Sequence, residues 1–122
     1  MKLNHLNLPV PDVAETQTFF EKYFNFTRTE VKVEHALTVL KGEDGFTLVL
    51  MSEAFNRNGN AAYPDALHIG FLVEDSAQVD AMFNRLTEDG LSVPHKPGNR
   101  RGVHVFYFHA PGNILTEVST SS

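Results

Sequence analysis

Three side chains in this sequence have the chemical type and the strand placement to hold a metal ion: His5, His68 and Glu117. Two imidazoles and one carboxylate from three strands of a curved sheet make a 2-His-1-carboxylate facial arrangement, which leaves three coordination positions open and suits Fe(II), Mn(II) and related ions. Substrate or O₂ would take those open positions. Taken singly, each residue has a plainer explanation. A strand histidine is more often a surface or hydrogen-bonded residue, and Glu117, following Thr116 near the end of the chain, would pass for a solvated edge charge.

The histidines stand out because they are repeated. Asn4-His5-Leu6-Asn7-Leu8-Pro9-Val10-Pro11-Asp12 is matched 63 residues later by Leu67-His68-Ile69-Gly70-Phe71-Leu72-Val73-Glu74-Asp75. Each copy runs from His through an alternating apolar stretch to Asp, seven positions on. Asp12-Val13-Ala14-Glu15 and Asp75-Ser76-Ala77-Gln78 are then both capping boxes, Asp-x-x-Glu/Gln, which announce a helix. Thr16, Phe19, Phe20 and Tyr23 align with Val79, Met82, Phe83 and Leu86, all at i, i+3, i+4, i+7. Two histidines at equivalent positions of a duplicated strand–helix unit point to a shared site.

The elements that must position these residues follow from periodicity. Leu3–Val10 alternates, so Leu6, Leu8 and Val10 share one face while Leu3, His5 and Asn7 share the other. Pro9 favours a sheet edge or a strand end. A helix is predicted over Val13 to about Phe24, with strands over 29–34, 35–41 and 46–51 and a hairpin turn at Gly42-Glu43-Asp44-Gly45. Residues 52–65 form a polar connector suited to covering a site mouth or handing the chain to a partner subunit. The second unit repeats the order: a strand over Ala66–Val73, a helix over 76–89 stopped by Gly90, a short strand over Leu91–His95, a turn at Pro97-Gly98-Asn99, a strand over Val103–His109, and a last strand over Ile114–Ser119. The terminal Ser-Thr-Ser-Ser is expected to fray. The prediction is βαβββ twice within one domain over 1–122: module one about 1–51, connector 52–65, module two about 66–119.

Composition narrows the function classes. At 122 residues, 42% hydrophobic and 20% charged, the chain supports one ordinary globular domain. A net charge of −5 argues against a phosphate-binding surface, so no nucleic-acid partner is expected. Arg100-Arg101 is the only basic pair of note and reads as a solvated turn. No apolar run approaches a membrane span, and the start of the sequence is strand-like, with no signal peptide to discount. With no cysteine there is no disulfide, no thiolate nucleophile and no zinc finger. A cytoplasmic setting is the expectation.

The two His-strand segments, together with Val105-Phe106-Tyr107-Phe108-His109-Ala110-Pro111-Gly112-Asn113-Ile114-Leu115-Thr116-Glu117, resemble the vicinal oxygen chelate superfamily of glyoxalase I, extradiol dioxygenases, fosfomycin resistance proteins and bleomycin-resistance proteins. The resemblance covers essentially the whole chain. It implies an α+β fold in which two βαβββ modules form a curved, eight-stranded mixed sheet with helices on the outer face. It also implies one divalent metal ion (Fe, Mn, Ni, Zn or Co) held by His5, His68 and Glu117.

The resemblance to glyoxalase I lacks one element. A fourth ligand would come from the strand Phe46-Thr47-Leu48-Val49-Leu50-Met51, which has no carboxylate, and Glu53 lies past its end. Three ligands resemble the extradiol dioxygenases and the fosfomycin transferases instead. In the dioxygenases a Tyr on the strand before the ligand Glu binds the substrate side, and Tyr107 fits that position. Their histidine base has no motif match here, the nearest candidates being His35 and His104. Asn7 stands where the fosfomycin enzymes place Thr, which counts against fosfomycin chemistry.

The sequence therefore predicts a metal-dependent enzyme, a dioxygenase or lyase, acting on a small molecule that chelates the ion through neighbouring oxygens. Tyr107 and His109 are the catalytic candidates and Asn7 the substrate-orienting one. Strand parity puts Tyr107 and His109 on one face and His104 on the other. The alternatives are a metal-free binding protein like the bleomycin-resistance proteins, or a glyoxalase-type lyase or isomerase. The resemblance implies a homodimer, with the two modules paired within one chain or swapped between chains.

Overall fold

Asp12 and Asp75 start the two helices in the same way. Asp12 is extended (φ −131°, ψ 100°) and its Oδ1 accepts the amide of Glu15 at 3.0 Å; Asp75 is extended (φ −147°, ψ 170°) and its Oδ1 accepts the amide of Gln78 at 2.9 Å. Each bond satisfies an amide that a helix N-terminus otherwise leaves without a partner. The Gln78 side chain also reaches back to accept the Glu74 amide at 2.8 Å. The first helix, α1, spans Val13–Phe24, and Asn25 in the left-handed conformation (φ 55°) ends it. The second, α2, spans Ser76–Glu88, and Gly90 (φ +88°) follows its end.

The computed structural model describes residues 1–33, 36–59 and 62–121. They form two compact units, Met1–Ala62 and Tyr63–Ser122. The eight strands, the number expected, form two four-stranded mixed sheets, one in each βαβββ unit.

In the first unit the strands are β1 (His5–Val10), β2 (Thr27–Val33), β3 (Leu37–Lys41) and β4 (Thr47–Ser52), in the order β1-β4-β3-β2. Strand β1 runs parallel to β4 and the other pairs are antiparallel. Strand β1, carrying Pro9, lies at the edge, as the missing amide of proline requires. Leu8, Val10, Leu40, Leu48 and Leu50 are buried on the face that α1 covers with Val13, Thr16, Phe19, Phe20 and Tyr23. Phe20 packs edge-on against both Phe19 and Phe26. The turn Gly42–Gly45 closes the β3–β4 hairpin, with Gly45 at φ +87°. A single 3₁₀ turn, Glu53–Phe55, capped by Ser52, begins the connector.

In the second unit β5 (His68–Val73), β6 (Gly98–Arg100), β7 (Val103–Ala110) and β8 (Ile114–Thr120) take the equivalent order, β5-β8-β7-β6, with β5 parallel to β8. Phe106, Phe108, Ile114, Thr116 and Val118 are buried on the face that receives Val79 and Leu86 of α2, and Phe83 meets Phe106 edge-on at 5.7 Å. Burying each large side chain of this kind contributes about 1.5–3 kcal/mol.

Two local expectations are corrected. Residues 91–95 are not a strand, and Gly98-Asn99 belongs to β6 rather than to a turn. Pro94 and Pro97 have no amide to give a ladder, so pairing starts only after them. The chain turns instead at Arg101-Gly102. The end of β8 is also not frayed through Ser119 and Thr120. Both are buried and paired with Leu72 and Val73, and the Thr120 hydroxyl oxygen accepts the His104 amide. Among the described residues no helix is long and apolar enough to cross a membrane.

Candidate functional site

Strand pairing fixes which side chains can meet, because residues opposite one another in a ladder point to the same face. In the first unit His5 is opposite Thr47 and Asn7 opposite Val49, on the face away from the buried Leu8, Leu48 and Leu50. His5 and Asn7 are exposed there. The His5 Nδ1 lies 2.7 Å from Asn4 Oδ1. An acceptor at Nδ1 keeps the proton on that nitrogen and leaves the Nε2 lone pair available.

The second unit repeats this. His68 Nδ1 lies 3.0 Å from the Ala66 carbonyl oxygen, which can only accept, so Nδ1 carries the proton and Nε2 is the basic nitrogen. The duplication thus extends to the group that orients each imidazole, an oxygen from a residue just before the histidine. Metal-ligating histidines are commonly held this way through the nitrogen that does not bind the ion.

On the face away from α2, Gly70 is opposite Glu117, and Glu117 is opposite Tyr107. Across this row the Tyr107 hydroxyl donates to Glu117 Oε1 at 2.7 Å. On the other side, a Cβ on residue 70 would stand 3.0 Å from Glu117 Oε2. Glycine at 70 therefore matters for space rather than for backbone freedom: it leaves the Glu117 carboxylate room beside β5. The His68 ring completes the group, edge-on to Tyr107 with centroids 6.0 Å apart. His68, Tyr107 and Glu117 thus lie side by side on this face, while His5 stands on β1 of the first unit.

Tyr107 holds its hydroxyl proton more tightly than an ordinary tyrosine. Its hydroxyl pKa is raised above the ordinary tyrosine value, first by the hydrogen bond to Glu117, then by burial and by the carboxylate charge. The positive charges of Arg100 and Arg101 oppose this shift.

The other candidates are placed differently. His109 shares the Tyr107 face by register but is exposed, and it lines a cleft of about 550 Å³ together with Leu91, Ser92, Pro94, Pro111 and Asn113. It makes no hydrogen bond to Tyr107 or Glu117. His104 lies on the opposite face, where its Nε2 meets Asp80 Oδ1 of α2 at 2.7 Å and ties the helix to β7. His35 lies outside the described residues. Gly70 was missed from sequence. Its signal is the repeat itself, which aligns it with Asn7, two residues after the histidine.

The donors fit a divalent ion chemically. An imidazole with its Nδ1 proton engaged and a carboxylate with one oxygen held by a phenol are the ligand types, with the outer partners, that such ions take. In the second unit these are two donors, and among the described residues no group of three or more His, Asp or Glu is close enough to hold a metal. On the helix-free face of β4, the residues opposite His5 and Asn7 are Thr47 and Val49, with no carboxylate.

The family model of the Glyoxalase/Bleomycin resistance protein/Dioxygenase superfamily matches residues 2–118. A trivalent organoarsenical cleaving enzyme of Bacillus sp. (strain MD1) is 34% identical over 92 residues, which are 75% of this chain and 53% of that protein. The chain thus spans about half the length of the curated relative it matches. The solved structure of a possible glyoxalase from Bacillus cereus is 38% identical, with a TM-score of 0.84 and 97% of both chains covered. A fosfomycin resistance protein from Listeria monocytogenes is 20% identical, with a TM-score of 0.78 over 100% of this chain and 94% of its own, and shares the fold.

Proposed function

From the premise that the chain belongs to the Glyoxalase/Bleomycin resistance protein/Dioxygenase superfamily, we propose that it is a metal-dependent enzyme with a three-ligand site of the extradiol dioxygenase type. Its substrate is a small molecule that offers two neighbouring oxygens. The observation that carries this reading is the Tyr107–Glu117 hydrogen bond of 2.7 Å beside His68.

In this reading His68 Nε2, a Glu117 oxygen and His5 Nε2 hold one divalent ion. His5 enters through its repeat equivalence to His68 and the same engagement of Nδ1. Once bound, the ion supplies Lewis acidity to a substrate oxygen. Tyr107, protonated at neutral pH as any phenol is, donates its hydroxyl in a hydrogen bond to Glu117 or to a substrate oxygen that becomes negative. Asn7, on the His5 face, orients the substrate. His109, beside its cleft, is the second catalytic candidate in this reading. A homodimer in the cytoplasm is part of the same proposal.

The 34% identity to an organoarsenical cleaving enzyme supports a second reading, cleavage of a carbon–arsenic bond. Trivalent arsenic is soft and prefers thiolate, and this chain has no cysteine to supply one. Oxygen chelation therefore ranks first. A metal-free binding role is disfavoured because it has no use for the oriented imidazoles and carboxylate. A glyoxalase reaction is disfavoured by the strand Thr47–Ser52, which has no carboxylate.

The test is turnover by iron- or manganese-loaded protein. Catechols are followed by oxygen uptake and ring-opening absorbance, alongside a glutathione hemithioacetal and a trivalent phenylarsenical. Ring opening of a catechol is expected. Cleavage of the arsenical alone would overturn the assignment in favour of the second reading.

A further inference from the structure

The one basic pair of the sequence lies at an exposed turn, as expected, and its place in the ladder gives it a further property. Arg100 is opposite Val103 in the β6–β7 ladder, and Val103 shares its face with Val105 and Tyr107, so Arg100 projects on the face of Tyr107, Glu117 and His68. Arg101 follows at the hairpin tip with φ 54°, and Gly102 has φ +82°. Two successive positive φ values define the two-residue type I′ turn, whose first position favours Asn, Asp or Gly. Arginine, with a bulky side chain at a left-handed position, is a strained choice there. Local strain of this kind is characteristic of functional positions.

Neither guanidinium makes an ion pair among the described residues, and both are exposed. On a chain with a net charge of −5, the end of this hairpin is a local cationic feature, with Arg100 on the face that carries the candidate site.

We infer that the β6–β7 hairpin is the specificity element of the site, with Arg100 and Arg101 receiving a carboxylate carried by the substrate. The inference rests on the proposed oxygen-chelating function and names its substrate class: a small diol or similar chelator bearing an anionic carboxylate. Guanidinium suits this role because its planar fork matches a carboxylate and it is always charged. The two ends of the substrate are then read by different groups, the neighbouring oxygens by the metal and Tyr107, the carboxylate by the hairpin.

Calorimetric titration of manganese-loaded protein with catechol, 3,4-dihydroxybenzoate and benzoate tests this. Wild type is expected to bind 3,4-dihydroxybenzoate about tenfold more tightly than catechol at low salt, with the advantage shrinking as salt is raised. Arg100→Gln and Arg101→Asn should remove that advantage while leaving catechol affinity unchanged. Arg101→Asn places a favoured residue in the strained turn, so its melting temperature should equal or exceed that of wild type, and loss of carboxylate binding in it cannot be assigned to unfolding. Equal affinity for the two diols, or a preference that survives both substitutions, overturns the inference while leaving the proposed function standing. If catechol does not bind at all, the oxygen-chelating function fails separately. Benzoate then decides the hairpin's role: binding that both substitutions abolish supports it, and no binding to wild type overturns it.

Discussion

Tyr107 donates its hydroxyl to Glu117 Oε1 across 2.7 Å, from directly opposite positions on antiparallel strands, while glycine at 70 leaves room for the other carboxylate oxygen on the far side. The carboxylate is thus held from one flank and unobstructed on the other. That asymmetry is what a ligand needs: one oxygen fixed in place and one able to bind.

Tyr107→Phe removes the fixing bond and leaves the fold intact. The pair is partly exposed, so the stability loss should be at most about 1 kcal/mol in urea melts. Turnover of the loaded enzyme should fall about 10–100-fold, because the donor and the orientation of Glu117 are lost together. A large stability loss with unchanged turnover would assign Tyr107 a purely structural role.

The raised Tyr107 pKa has a definite pH consequence. A group that binds its proton more tightly when folded contributes stability that is complete below its unfolded pKa, near 10, and is lost as pH rises through the folded value. The stability difference between wild type and Tyr107→Phe should therefore be constant at neutral pH and shrink above pH 10. Tyrosinate absorbance provides the check: the variant should lack a titration step lying above pH 10.

Gly70→Ala places a methyl group 3.0 Å from Glu117 Oε2. The neighbour is the mobile end of a side chain, so the protein should fold with a melting temperature within a few degrees of wild type. The carboxylate must move, and metal affinity should fall about 10–100-fold. Unchanged affinity would mean that Glu117 is not a ligand or that its position beside β5 is irrelevant.

Asp12→Ala and Asp75→Ala each remove one helix cap and should each cost about 1 kcal/mol in chemical denaturation, without altering metal affinity. His104→Gln is the matching control on the strand, because its partner Asp80 lies on α2, away from the site. It should lower stability by less than about 1 kcal/mol and leave turnover unchanged. A loss of turnover in this variant would contradict the assignment of faces.

Much of this arrangement was legible because it depends on short-range rules. The Asp12 and Asp75 caps, the apolar stripe of α1 and the alternation of β1 all follow from local spacing, and the repeat carried them to the second unit. His5 and His68 stand out through the repeat and Glu117 through its place on the last strand, whereas Tyr107 is singled out only through the family resemblance. Gly70 could not be singled out, since its value is the space it leaves for Glu117 across the sheet, a property of pairing rather than of spacing. The β6–β7 hairpin was misplaced because Pro97-Gly98-Asn99 has strong turn chemistry, whereas the real turn uses Arg101 in a conformation that arginine disfavours. Ser119 and Thr120 read as a polar tail, yet pairing with β5 buries them.

The central claim is that His5, His68 and Glu117 hold one divalent ion. Titration of metal-free protein with Mn(II) or Co(II), read by calorimetry and by metal analysis after gel filtration, tests it most directly. The account predicts one ion per chain in wild type and a drop in affinity of at least about 100-fold in each of His5→Ala, His68→Ala and Glu117→Gln, with all three variants folded. Wild type that binds no ion at stoichiometric levels, or His68→Ala with affinity equal to wild type, would contradict it.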